Sequence, residues 1–338
     1  MITALAPMAT LTHEALRLLI HRFGDPTEYY SEMIHAPSYV CGGVFEKWYV
    51  RTAPAPDKMV WQLTGPTPSS MAQAAALLLP LGGLGIDVNM GCSAPDIVKT
   101  GCGIAWMSKE GAEVRTLISS IRSCIDQYLT DNPGQQRRLG VKLRLGEDED
   151  YTRLLDFCRM LVDEGVEQLT LHPRTRREKY GRPPRHGYTV RLGQDIGVPV
   201  YGNGAISSAG EAVSFMEKYP CSGLMIGRAA ITRPWIFRQI ELGLGAIPQE
   251  KDRRAIDLLE LSLFFLDRLA ESQPPEFFMT RARRFFFYFC DNLSFAHHCK
   301  TRIQNAKAPE HIRDLLEEYF RDVPQDQVIP GIAPEISP

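Results

Sequence analysis

The sequence predicts an α/β protein, a (β/α)8 TIM barrel with a C-terminal all-helical domain. Three observations predict it. Eight short β-type runs recur through the first ~240 residues with helix-like stretches between most of them. The polar residues of those runs share one face and sit towards the C-terminal ends, where barrel enzymes keep their sites. Beyond about Lys251 strand signals stop and helical patterning takes over. Length agrees, since the chain has 338 residues and a barrel of about 250 leaves about 88 for an appendage.

The expected strands are Ala4–Met8, Tyr29–Ile34, Met59–Leu63, Gly85–Met90, Val141–Leu145, Gln168–His172, Pro199–Tyr201 and Leu224–Ile226. Helices are expected over Thr12–Phe23, Ser69–Leu79, Lys109–Leu129, Asp150–Glu164, Tyr188–Asp195 and Ser208–Lys218. The last opens with a Ser-x-x-Glu capping box formed by Ser208 and Glu211. Ala36–Pro56 reads as a long loop rich in Gly, Pro and aromatics. Pro234 and Gly243–Pro248 mark a junction, so residues 1–245 are expected to form the barrel and 246–338 a helical domain with an irregular tail. Its helices are expected over Ile256–Leu269, Pro275–Asn292 and Glu310–Phe320.

A hydrophobic fraction of 44% supports a large core and excludes global disorder. The net charge of −2 excludes an overall basic footprint, so nucleic-acid binding would have to use local patches. His13 and Glu14 interrupt the opening apolar stretch before the first arginine, Arg17, which argues against a signal peptide. The strongly apolar run Ala74–Leu81 contains Pro80 and is far below the ~20 residues that span a membrane. Eight scattered cysteines with no Cys-x-x-Cys pair argue against a metal site or a disulfide framework, and a cytoplasmic location is expected. A monomer is expected.

Strands of a parallel barrel are buried on both faces and normally read as apolar runs. Here Gln62, Asn89, Lys142, Arg144 and His172 break four such runs on the inward face, and a buried unpaired lysine costs several kcal/mol. A polar ligand at the barrel mouth is the reading these strands support together. Asn203, Gly204 and Ala205 follow the seventh strand, and Gly227 and Arg228 follow the eighth, where glycine turns at helix N-termini commonly hold a phosphate. Cys92 follows a strand end and a glycine at the same mouth and is the candidate for chemistry. Cys102, in a Gly-Cys-Gly setting, reads as a packed loop residue.

These residues resemble the tRNA-dihydrouridine synthase family. The resemblance rests on Ala6-Pro7-Met8, Ser31-Glu32-Met33, Gln62-Leu63-Thr64-Gly65, Asp87-Val88-Asn89-Met90-Gly91-Cys92, Lys142-Leu143-Arg144-Leu145-Gly146, His172-Pro173-Arg174-Thr175, Asn203-Gly204-Ala205-Ile206 and Met225-Ile226-Gly227-Arg228, in that order. It implies a bound FMN, with Pro7, Met8 and Ala9 lining the ring, Gln62 on its pyrimidine edge, Lys142 near N1 and O2, and His172 on the ring or tail. Asn203, Gly204, Ala205, Gly227 and Arg228 would hold the phosphate. It further implies that NADPH reduces the flavin, that a flipped-out uridine takes hydride at C6, and that Cys92 gives a proton to C5. Two positions depart from the family pattern. Ser93 stands where proline usually follows the cysteine, and Ala205 replaces a common acidic residue.

Substrate contacts are expected from Asn89 and Arg144 at the mouth and from two basic clusters. Residues 174–185, with Arg174, Arg176, Arg177 and Lys179 among them, carry a local charge of +5 and a tyrosine, Tyr180, available to stack. Residues 281–307, opening with Arg281, Arg283 and Arg284, also carry +5, interleaved with Phe285 to Phe289. Most of those aromatics read as helical core. Two clusters flanking one mouth suit a phosphate backbone, and tRNA is the partner expected. Two other readings fit the barrel. One is a small-molecule FMN oxidoreductase acting on dihydroorotate or a free pyrimidine, against which the helical domain argues. The other is a flavin- and RNA-binding relative without turnover.

Overall fold

The computed structural model describes residues 2–178 and 181–333, and in it eight parallel strands close on themselves. They are β1 Ile2–Leu5, β2 Glu28–Tyr30, β3 Met59–Thr64, β4 Gly85–Met90, β5 Arg138–Gly146, β6 Gln168–Thr175, β7 Val200–Asn203 and β8 Gly223–Ile226. Each pairs with its neighbour, and β1 closes the ring against β8 with Leu5 opposite Ile226. The alternation on β5 shows why these residues make strands. Leu139, Val141, Leu143 and Leu145 are buried in the apolar core, while Gly140, Lys142 and Arg144 take the other parity.

The strands match the expected set with shifts that have local causes. β1 ends before Pro7, which has no N–H to extend the ladder. β2 stops at Tyr30 because Ser31 turns its hydroxyl into the ladder, accepting from the Gln62 N–H at 3.0 Å. A two-residue strand, Ile34–His35, then resumes pairing with Leu63 and Thr64. The loop expected over Ala36–Pro56 contains two short helices, Ala36–Val40 and Glu46–Tyr49. It is pinned by fully buried Arg17, whose guanidinium donates to the carbonyls of Thr12, Arg51 and Ala53 at 2.6–3.0 Å. Ser208 caps its helix through the Glu211 N–H at 3.1 Å, but the Glu211 carboxylate bonds Ser207 instead of closing the box.

After the barrel come helices Leu258–Ser272, Pro275–Phe289, Ala296–Asn305 and Pro309–Asp322. The third was not expected, its mean hydropathy being too low to mark it. An antiparallel clasp of Ile256–Asp257 with Val328–Ile329 joins the ends of this unit. Its core is continuous with that of the barrel: Leu16, Leu19 and Ile20 belong to the same buried cluster as Phe265, Phe285 and Phe289. Among the described residues no helix is long and apolar enough to cross a membrane.

At the N-terminal end of the lumen a polar network replaces apolar filling. Buried Glu28 accepts from both terminal nitrogens of Arg138 at 2.7 and 2.6 Å and from the Tyr201 hydroxyl at 3.0 Å. Tyr30 donates to Gln168, and Gln168 to Thr170. Glu28→Gln leaves a buried guanidinium without its carboxylate, so it should lower unfolding free energy by about 3 kcal/mol. A urea titration of the variant checks this; an unchanged midpoint would show that the floor contributes no stability.

Candidate active site

Above that floor one hydrogen-bond chain climbs to the mouth. Asp87 Oδ2 accepts from Gln62 Nε2 at 2.7 Å, and Gln62 Oε1 accepts from Asn89 Nδ2 at 2.8 Å. Asn89 Oδ1 then accepts the backbone N–H groups of Gly91 and Cys92, at 3.2 and 2.9 Å. The two N–H donors fix which end of Asn89 is oxygen, and this in turn orients the Gln62 amide. Gln62 is fully buried with both ends of its amide engaged, so bonding a flavin edge would require a neighbouring side chain to give way.

The Cys92 loop is clamped from two sides. A Cβ on Gly91 would lie 3.3 Å from the Leu143 carbonyl carbon, and Arg144 Nε donates to the Gly91 carbonyl at 3.1 Å. Gly103, at φ +62°, lies so close that a Cβ there would fall 2.5 Å from the Cys92 carbonyl oxygen, which accepts from the Ile104 N–H. Cys92 itself is half-buried. Pro95 opens a short helix, Pro95–Lys99, so Ser93 and Ala94 act as a two-residue spacer between the thiol and that helix. Cys102 is buried, as expected of a packed loop residue.

Lys142 projects into the same mouth, half-buried, and donates no hydrogen bond among the described residues. Burial, then Arg144, pulls its ammonium down to about 8, while Asp87 and Cys92 pull the other way. Burial pushes the Asp87 carboxyl up to about 7 against the Gln62 bond, Lys142 and Arg138, and its Oδ1 has no partner among the described residues. His172 is held neutral, far below its ordinary value, by burial and then by Lys142, Arg144 and Arg174. Arg174 Nη1 lies 2.7 Å from His172 Nε2; arginine only donates, so the imidazole proton sits on Nδ1.

The turns after β7 and β8 face this cluster. Gly204 has φ +121°, and a Cβ there would strike the His172 ring at 2.8 Å. Its carbonyl pairs with His186 Nε2 at 3.0 Å. Ala205 also adopts a positive φ, 55°. The N–H groups of Gly204, Ala205, Ile206 and Gly227 donate to no group among the described residues. Asn203 braces the turn by donating to the Met225 carbonyl at 2.8 Å. Met8 packs towards Gly227, Pro7 and Met8 are partly exposed, and Ala9 and Arg228 are exposed.

Several residues expected at the substrate already have partners within the protein. Asn89 is buried and spent on Gln62 and the Cys92 loop. Arg144 is buried and ties Gly91 to the Thr175 carbonyl, at 3.3 Å from the latter. Arg174 is buried between His172 and the Arg182 carbonyl. Arg281 is 2% exposed and pairs with Glu32 at 2.8 Å, and Arg283 donates to the Ala306 carbonyl at 2.6 Å. Arg176 pairs with Glu147, and Arg185 with Glu149 and Glu178, so much of the 174–185 charge is neutralised locally. Arg177 and Arg284 are exposed as expected. Lys179 and Tyr180 lie outside the described residues. Phe285, Phe286 and Phe289 are core, whereas Phe287 is 47% exposed beneath Lys300. Sequence reasoning gave no role to Asp87 and Glu32. Asp87 was legible, since it alternates with Asn89 on the inward face; Glu32 was not, its partner lying 249 residues away.

A protein-family model described as Dihydrouridine synthase (Dus) matches residues 4–324. A tRNA-dihydrouridine synthase B of Pseudomonas syringae pv. tomato is 30% identical over 237 residues, covering 70% of this chain and 67% of that protein. One from Xanthomonas campestris pv. campestris is 28% identical over 335 residues, covering 98% and 95%. Among solved structures, a 2-naphthoyl-CoA reductase bound to 2-naphthoyl-CoA gives a TM-score of 0.52 at 11% identity, over 71% of this chain and 50% of that one. Histamine dehydrogenase from Rhizobium sp. 4-9 gives the same score and identity over 71% and 45%. At that identity the likeness speaks for the barrel alone. With the match to the family model running through both the barrel and the helical unit, and with relatives aligned across nearly the whole length, this chain belongs to the dihydrouridine synthase family.

Proposed function

We propose that this chain reduces specific uridines of tRNA to 5,6-dihydrouridine, with FMN at the barrel mouth and NADPH as electron donor. The reading rests on one juxtaposition: a clamped, half-buried thiol, a lysine amine with no hydrogen bond among the described residues, and a glycine turn with unspent N–H groups. The turn suits a phosphate, because a Cβ at Gly204 would meet His172 and the four N–H groups have no acceptor among the described residues. Gly204, Ala205, Gly227 and Arg228 would hold that phosphate, braced by Asn203 and His172. Pro7, Met8 and Ala9 would line the ring. Bound FMN supplies the hydride that uracil C6 receives.

The chain's own residues do the rest. Lys142 brings positive charge beside the ring, with no ion-pair partner in contact among the described residues. Cys92 holds the proton destined for C5, on a loop whose position is set by Asn89, Arg144 and Gly103. Arg177 at the rim, and Arg284 and Lys307 on the helical unit, offer exposed cations to the phosphate backbone. Every residue the reading requires belongs to one chain, as a cytoplasmic monomer needs, and all eight cysteines are free thiols.

Incubation with FMN, NADPH and tRNA lacking dihydrouridine, followed by mass-spectrometric mapping, should give product at defined positions. Cys92→Ala should keep bound flavin and NADPH oxidation and lose that product; undiminished product would remove Cys92 from the chemistry. Arg177→Ala combined with Arg284→Ala should weaken tRNA binding and reduce the slope of log K against log salt by about 2. An unchanged slope would place the RNA elsewhere.

The floor of the site also sets a pH dependence. The folded chain holds a proton on Asp87 up to about pH 7, whereas the unfolded carboxyl releases it near 4. Folding therefore binds a proton in that window, and the stability contributed at acid pH is lost as pH rises from about 4 to about 7. Asp87→Asn should match the wild type near pH 4 and exceed it by about 2–4 kcal/mol at pH 7.5. Flavin-free protein titrated with urea at both pH values checks the sign; a gap that does not widen with pH would show that Asp87 is ionised throughout.

A further inference from the structure

Arg281, which the sequence places among the RNA contacts, points inward instead, and its partner lies on the barrel. Both Glu32 oxygens accept Arg281 Nη1, at 2.9 and 2.8 Å, and both side chains are nearly sealed from solvent. Glu32 Oε1 also accepts the Thr10 N–H at 2.5 Å. Thr10 has φ +66°, a left-handed conformation that a β-branched residue seldom adopts unless held there. It follows directly on Pro7, Met8 and Ala9, and Met8 packs against the turn at Gly227.

The surroundings leave Arg281 as the only cation in hydrogen-bond contact with Glu32 among the described residues. Arg17 is committed to three carbonyls. His13 is fully buried, both ring nitrogens lack partners among the described residues, and its ring lies 5.9 Å from that of Phe265. Burial, Arg281 and Arg17 keep it neutral. The Arg281 guanidinium also faces the rings of Tyr49 and Phe277, at 5.7 and 5.2 Å. Its helix, Pro275–Phe289, presents Arg284 and Phe287 outward.

We infer that Glu32 and Arg281 are positioning residues for the Pro7–Thr10 segment, so that the flavin pocket of the barrel is completed by a side chain of the helical unit. The inference rests on the proposal that this segment lines a flavin. One carboxylate serves two clients: it neutralises Arg281 and holds the Thr10 amide. Loss of Arg281 leaves a buried carboxylate that must take up a proton or draw in water, and either change weakens its hold on Thr10.

The test uses the full chain and FMN itself, with affinity read from quenching of flavin fluorescence and from the bound flavin's visible spectrum. Glu32→Gln and Arg281→Met should each weaken FMN about tenfold and shift that spectrum. The double variant should be no weaker than the poorer single one, because both act through the same contact. Arg281→Lys should fall between. Arg22→Ala removes a surface ion pair with Glu260 that joins the same two units, and should leave FMN affinity unchanged. A purely structural role for Arg281 would lower the melting temperature of the flavin-free protein and leave FMN affinity at 20 °C intact, which overturns the inference. So would a double variant whose loss is the product of the two singles. Should Arg281→Met fail to fold, Glu32→Gln and Arg281→Lys decide by the same readouts. A wild-type chain that binds no FMN overturns the proposed function and the inference together; wild-type binding with unaffected variants overturns the inference alone.

Discussion

The chain Asp87–Gln62–Asn89–Cys92 is the constraint on which the site depends. A parallel barrel offers its lumen no water and no spare backbone groups, so every polar side chain pointing inward must find another. For Gln62 and Asn89 the requirement is met by a directional ladder. Two backbone N–H groups at the thiol loop dictate the orientation of Asn89, Asn89 dictates that of Gln62, and Gln62 presents its amide nitrogen to a carboxyl. The Cys92 loop is thus held by the same bonds that make a polar lumen tolerable.

Charge is distributed along that lumen in tiers. At the bottom, Glu28 and Arg138 neutralise each other with two short bonds. At the top, Lys142, Arg144, His172 and Arg174 gather with fewer acids, and burial together with mutual repulsion drives Lys142 and His172 towards their neutral forms. A mouth biased in this way is the electrostatic setting that the proposed anionic cofactor would meet. Groups with shifted protonation gather in this way at functional sites.

The barrel, its strand order and the inward polar residues were legible because each is a local signal. Alternation places Lys142 and Arg144 on one face, and glycines mark the two turns. What was not legible depends on partners far apart in sequence. Six cations in the 281–307 cluster look like one patch, yet Arg281 is turned into a barrel carboxylate, Arg283 into a carbonyl, and Arg302 towards Glu318. Charge density along a sequence does not reveal which side of a helix is already occupied. In the 174–185 cluster, likewise, Arg176 and Arg185 meet counter-charges, Glu147 and Glu149, that lie on the preceding βα loop.

The clasp between Ile256–Asp257 and Val328–Ile329 gives the protein an order in time. All eight barrel strands leave the ribosome before residue 256, and domains generally fold as they emerge. Arg281 and the strand that latches its unit come later. For that interval Glu32 has its barrel neighbours but not its guanidinium, and the left-handed turn at Thr10 hangs from a carboxylate without its partner. The mouth of the barrel is consequently among the last parts of the molecule to be finished, although the residues that line it are among the first to be made.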